Sequence, residues 1–304
     1  MRKRGWGLVP LLLVVVLVAG ACGDGDDDGT TTPTPTTGAA LERPTFEAGT
    51  TMARIQQAGK IIIGTKFDQL GSGLRNPTTG QLEGFDIEIG KLIAVGIFGG
   101  TVQDVERNIE FRETISAVRE ERIVNGDVDI VIATYTITDR RKEQVDFAGP
   151  YVIDGQTAMV MSSNTSINQL TDLNGKRICT GQGSTTPANL QRLNIQGDVT
   201  LFQTYPECAE AMRQGRVDVV VTDRGILLGL VEGSGGAFKL VNAITVSEEP
   251  LGIGLRKGDT AFRTFLNDRL EEIYRSGEWA AAYARTLGRL GLPTPQPPAV
   301  DRYA

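Results

Sequence analysis

Apolar residues along this chain fall into short β-branched runs that alternate with longer stretches of helical spacing. Ile61, Ile62 and Ile63, followed by Gly64 and Thr65, read as a buried strand. From about Phe85 the positions Phe85, Ile89, Leu92 and Ile93 recur at helical spacing and predict one apolar stripe facing a core. A second helix ends at Asn125 and Gly126, a stop signal, and the run Asp129, Ile130, Val131, Ile132, Ala133 then predicts another buried strand. Further on, strands are predicted near 157–161, 177–180, 217–221 and 251–255, with a turn at Asp172 to Gly175. Thr186 before Pro187 reads as a cap and first helical position, and helices are predicted over 259–276 and 278–287.

This alternation is that of an α/β protein, and one long excursion divides it into two lobes. Residues 51–151 and 245–290 form lobe one and 152–244 form lobe two, with hinge crossings near 151–155 and 243–250. At the start, Arg2, Lys3 and Arg4 precede an apolar run from Leu8 to Ala19 that is too short to span a bilayer comfortably, so 1–21 read as a cleaved signal peptide. Ala19, Gly20 and Ala21 ahead of Cys22 resemble a lipobox, which implies a diacylated Cys22 and a membrane anchor on the extracytoplasmic face. Residues 22–50, with Asp24, Asp26, Asp27, Asp28 and a Thr/Pro tract, read as a flexible tether, and the Pro-rich tail 291–304 as disordered.

Composition narrows the chemistry. The chain has no histidine, which excludes Ser-His-Asp and Cys-His catalysis and His-ligated zinc. It has no P-loop, Gly181 and Gly183 lack the rest of a dinucleotide fingerprint, and the net charge of −6 argues against nucleic acid. No metal or cofactor is expected. With Cys22 set aside, Cys179 and Cys208 form an even pair in an exported protein and are expected to be disulfide-bonded.

The stretch from Val128 to Tyr151, VDIVIATYTITDRRKEQVDFAGPY, sets a buried strand, the hydroxyls of Thr134, Thr136 and Thr138, and the fixed cation Arg141 in succession. Strand ends of open α/β sheets are where ligands sit, and a guanidinium offers paired donors that match a carboxylate. The pattern A-x-x-T-I-T-x-x-R-K-x-x-x-D-F, followed by G-P-Y, resembles the polar amino-acid solute-binding proteins that feed ABC importers, and the likeness runs from about Ile61 to Leu287. It implies a two-lobed periplasmic-binding-protein-like fold of type II, each lobe a mixed sheet flanked by helices and the two joined by a two-strand hinge. It also implies a binding protein and not an enzyme.

In that family the residues matching Thr134, Thr136 and Arg141 bind the ligand's α-carboxylate and backbone groups. The resemblance further nominates Lys66, where acidic-ligand members place a cation, and Arg119, with Arg122 close enough to compete. From lobe two it nominates Gly183, Ser184 and Thr185 at a helix start, whose backbone N–H groups and dipole would meet the same α-carboxylate, and Asp223 for the α-ammonium. Lys66, Arg119 and Asp223 could instead be surface charges or helix-end partners, and Phe67 and Tyr135 could equally wall the pocket or fill the core. Three cations against one carboxylate would leave the site net positive and suit glutamate or aspartate. A lysine of glutamine binders is replaced near Gly181, and Thr222 stands where some members carry histidine. The expected partners are an acidic amino acid and an ABC permease, or alternatively a membrane sensor, with the protein acting as a monomer. A dehydratase-like enzyme would need an acid and base that the motifs do not supply.

Overall fold

Two strands run through both halves of the molecule, Val145–Met161 and Ser247–Arg256, of 17 and 10 residues. The structure is a computed structural model that describes residues 40–303. The leader, Cys22 and most of the tether lie outside the described residues.

In chain order the main strands are β1 (Ile61–Thr65), β2 (Ile109–Glu113), β3 (Ile130–Val131), β4 (Val145–Met161), β5 (Arg177–Gly181), β6 (Asp198–Phe202), β7 (Val219–Asp223), β8 (Phe238–Val241) and β9 (Ser247–Arg256). They follow the path β2-β1-β3-β9-β4-β7-β5-β6, with β8 pairing β4. β1 runs parallel to β2 and β3, and β5 runs parallel to β6 and β7. Each half is therefore a mixed sheet, because β9 and β4 enter antiparallel to their neighbours. At the crossing, Gln156 lies opposite Ser247, Asp154 opposite Glu249 and Ile153 opposite Pro250.

The longer helices among the described residues are α1 (Thr51–Ala58), α2 (Phe85–Phe98), α3 (Arg119–Val124), α4 (Thr186–Arg192), α5 (Tyr205–Arg213), α6 (Arg224–Glu232), α7 (Thr260–Ser276) and α8 (Glu278–Arg285). The stripe expected on α2 is wider than its sequence suggested: Ile87 and Ile97 are buried along with Phe85, Ile89, Leu92 and Ile93. In lobe two, Ala158, Val160, Val219 and Val221 face one apolar cluster and Met159, Cys179 and Val220 another. Alternate residues thus enter cores on opposite faces, which is why these strands read as unbroken apolar runs. The Cys179–Cys208 disulfide ties β5 to α5, with a Cα–Cα distance of 5.6 Å.

Both chain ends depart from expectation. The last residues assigned to the tether pack on lobe one: Leu41 bridges to Gly100, and Phe46 meets Phe265 edge to face at 5.4 Å. The Pro-rich tail is docked where disorder was expected. Asp301 N donates to Gly149 O (2.7 Å), Phe147 N donates to the Tyr303 hydroxyl (2.8 Å), and the Lys142 and Arg263 side chains cover the Tyr303 ring. An aromatic anchor with a satisfied hydroxyl outweighs the composition of the segment. No helix among the described residues is long and apolar enough to cross a membrane.

Candidate ligand site

The loop after β3 builds the lobe-one side of a cleft. Thr138 caps the helical turn Asp139–Lys142, its hydroxyl accepting from Arg141 N at 3.2 Å, and this turn swings Arg141 back beneath the strand end. The loop is stitched to the hinge, since Ile137 N donates to Pro250 O at 2.8 Å. Thr134 takes a left-handed backbone with φ of 45°, an unfavourable conformation for a β-branched residue. Asp86 holds it there, accepting from Thr134 N (2.9 Å) and from the Tyr151 hydroxyl (2.7 Å). Burial lifts the Asp86 carboxyl to about 6.

Seven of the nine nominated ligand residues line one hollow: Arg119, Thr134, Thr136, Arg141, Ser184, Thr185 and Asp223. Lys66 stands behind it, 2 % exposed, donating to the hydroxyl of Ser116, a lining residue, at 2.8 Å. Gly183 contributes its carbonyl, which accepts from Arg141 Nη2 (2.9 Å) and Arg119 Nη2 (3.4 Å). With φ of 78°, Gly183 also passes so close to lobe one that a Cβ would lie 2.7 Å from Ala117 Cα. Only glycine allows that approach.

The cations differ in how they are held. Arg119 Nη1 donates to the carbonyls of Ala133 (2.9 Å) and Thr134 (3.1 Å), and its Nε has no partner among the described residues. Arg141 donates to Thr136 O (2.7 Å) and pairs through Nε with Glu120 at 3.2 Å. Both guanidiniums lie over the Tyr135 ring, at 4.3 and 4.9 Å from its centroid. Tyr135 is thus the buried shelf beneath the two arginines, whereas Phe67 carries Arg75 and stays outside the hollow. Arg122 is settled as the surface residue of its pair, bonded to Asp127. Burial, then the charge of Arg119, lowers Lys66 to about 7 and Arg141 to about 10.

The expected ratio of three cations to one carboxylate does not hold. Glu120 pairs with Arg141, Asp68 and Asp86 act on Lys66, and Asp154 and Glu249 stand close enough to Asp223 to raise it. Burial is the first cause of the Asp223 shift, which carries its carboxyl well above the usual range. Folding gathers these acids from separate elements, so a count along the motifs misses them. Asp223 ends β7 and precedes α6, yet its carboxylate does not cap that helix and accepts instead from Gln156 Nε2 at 3.3 Å. The expected helix start beyond Ser184 is also weaker than supposed: α4 has only seven residues and Thr185 is its N-cap, one residue earlier than the Thr-Pro signal suggested.

Gln156, Tyr205, Asp86, Ser116 and Glu249 belong to the site or its support and were not nominated from the sequence. A larger cavity of about 220 Å³ lies behind the hinge against Phe85, Val152, Tyr283 and Leu292, and it touches Thr134 and Asp86 but none of the three cations.

The chain matches the family of bacterial extracellular solute-binding proteins, family 3, over residues 61–289. It is 35 % identical over 247 residues to the glutamate-binding protein GluB of Corynebacterium efficiens, covering 80 % of this chain and 83 % of that protein. It is 37 % identical over 212 residues to a glutamine-binding protein of Geobacillus stearothermophilus, covering 69 % and 78 % respectively. Among solved structures it is similar to an ancestral arginine-binding protein bound to arginine, with a TM-score of 0.67, 32 % identity, and coverage of 75 % of this chain and 98 % of that one.

Proposed function

The chain belongs to the bacterial extracellular solute-binding proteins, family 3, and on that premise we propose that it captures an acidic amino acid, glutamate or aspartate, by closing its lobes and delivers it to an ABC importer. It is a solute-binding protein and not an enzyme, as its relatives are. The observation that carries the ligand class is a pair of buried cations, Lys66 and Arg119, that make no ion pair with a carboxylate among the described residues. Buried charges ordinarily find a counter-ion, and here a ligand side-chain carboxylate supplies it.

In this reading Arg141 grips the α-carboxylate, with Thr136 alongside. The Gly183 carbonyl occupies the Nη2 donors of both arginines, so parting of the lobes frees a face of each for the incoming anion. The ligand's ammonium supplies the charge that lets Asp223 ionise. A neutral glutamine side chain leaves Lys66 and Arg119 facing an amide, at a cost of roughly 1–3 kcal/mol. Calorimetry with glutamate, aspartate, glutamine and arginine tests the reading: glutamate or aspartate should bind most tightly, and a preference for glutamine or arginine rejects the ligand class. Arg141→Ala should abolish binding of every amino acid in the same assay.

The anchor is part of the same proposal. Diacylation of Cys22 would hold the protein on the extracytoplasmic membrane face, and incorporation of a labelled fatty acid that persists in Cys22→Ser would reject it.

A further inference from the structure

Behind the lobe-two side of the cleft runs a hydrogen-bond chain with a fixed direction. Asn189 Nδ2 donates to Gln156 Oε1 (3.2 Å) and to Glu249 Oε1 (2.8 Å). Gln156 Nε2 donates to Thr185 Oγ1 (2.8 Å) and to Asp223 Oδ1 (3.3 Å). The Thr185 hydroxyl in turn donates to Glu249 Oε2 at 2.9 Å. Glu249 lies on hinge strand β9, is 2 % exposed, and makes no ion pair among the described residues.

A carboxylate only accepts, so the far end of this chain has a single polarity. Asn189 must turn its amide nitrogen toward Glu249, and Thr185 must commit its one proton there. One lone pair of the Thr185 oxygen is taken by Gln156 Nε2. What the hydroxyl retains for the cleft it lines is a lone pair, and no proton.

We propose that Glu249 is a positioning residue that fixes Thr185 as an acceptor toward the ligand, assigning it to the α-ammonium beside Asp223 and not to a carboxylate. The inference rests on the reading that the cleft holds an amino acid. It gives lobe two a second acceptor for the ammonium beside Asp223, while the cations of lobe one take the anionic groups. It also keys that acceptor to the hinge, since Glu249 and Gln156 belong to the two crossing strands and Thr185 does not.

The test is a double-mutant cycle on the full chain, with calorimetric Kd for glutamate and for glutamine and a urea midpoint for each variant. Glu249→Met roughly keeps the length of the side chain but deletes both acceptors, freeing the Thr185 proton to face the ligand ammonium. It should weaken both ligands about ten- to a hundred-fold, as loss of a hydrogen bond to a charged group does. Thr185→Val, which deletes the acceptor itself, should do the same, and the double variant should match the single ones within about twofold. A packing role alone would leave Glu249→Met at wild-type affinity, and that result overturns the proposal. So do effects of the two substitutions that multiply. A wild-type protein that binds no amino acid overturns the underlying functional reading instead, a failure distinct from the other two.

Discussion

Lys66 offers the most quantitative test of the site. Its ammonium is 2 % exposed and finds one neutral partner, the Ser116 hydroxyl, so burial lowers its pKa from 10.5 to about 7. The folded protein therefore gives up a proton above about pH 7 that the unfolded chain keeps until about 10.5. In that window the unfolded state binds more protons, and this group makes stability rise with pH, by roughly 1.4 kcal/mol per unit. Below pH 7 its full penalty of roughly 5 kcal/mol is present, and at pH 8 about 3 kcal/mol remains.

Replacing Lys66 with methionine removes the charge at nearly constant volume. The ligand-free variant should be more stable than wild type by about 2–3 kcal/mol at pH 8, after allowing about 1 kcal/mol for the lost Ser116 hydrogen bond. The gap should narrow between pH 7 and 10. Urea unfolding at pH 6, 8 and 9.5 measures it. Binding should move in the opposite sense: a ligand carboxylate beside Lys66 requires the ammonium, so glutamate affinity in the wild type should weaken roughly tenfold per unit above pH 7, while glutamine shows no such slope. A stability gap independent of pH, or a methionine variant less stable than wild type, would refute the placement of a buried cation without an ion pair here.

Other perturbations probe the supports of the cleft. Asp86→Ala strands Thr134 N and the Tyr151 hydroxyl; it should cost roughly 2–4 kcal/mol of stability and weaken every ligand, as thermal melts and calorimetry would show. Reducing the Cys179–Cys208 bridge should lower unfolding free energy by roughly 3 kcal/mol, read from urea midpoints with and without reductant. Tyr303→Ala removes the acceptor for Phe147 N and the ring between Lys142 and Arg263; a loss of roughly 1–2 kcal/mol is expected, and an unchanged midpoint would mean the tail's docking adds nothing to stability.

What the sequence made legible is what lies close together in the chain. Ile61–Thr65 was plain because parallel strands buried on both faces are apolar throughout, and Thr134 to Arg141 because one strand end and one helical turn carry all the groups. β2 is not legible because none of its five residues is fully buried and its apolar residues alternate with charges. α5 carries a local signal in its sequence: Thr204 and Glu207 form a reciprocal capping box around Tyr205-Pro206. The tail's docking is not legible in composition, which averages over a segment, whereas a single tyrosine between two cations fixes its end.

The charge balance of the site was the least legible property, for a physical reason. Each acid that corrects the expected excess of cations arrives from its own element: Glu120 from α3, Asp154 and Glu249 from opposite strands of the hinge, Asp86 from the first turn of α2. None is distinguished by its neighbours in sequence, and Glu249 in particular sits in a run, Ser247-Glu248-Glu249-Pro250, that reads as a solvated strand end. Its neighbour Glu248 does face outward, and the two differ only because successive residues of a strand point to opposite sides. The register of β9 against β4 therefore decides which of two adjacent glutamates reaches Thr185. A one-residue slip at the hinge would expose Glu249 and bury Glu248, so the irregularity between Leu251 and Ile253, where the ladder shifts on leaving the crossing, separates the register that lobe one needs from the register that serves the ligand.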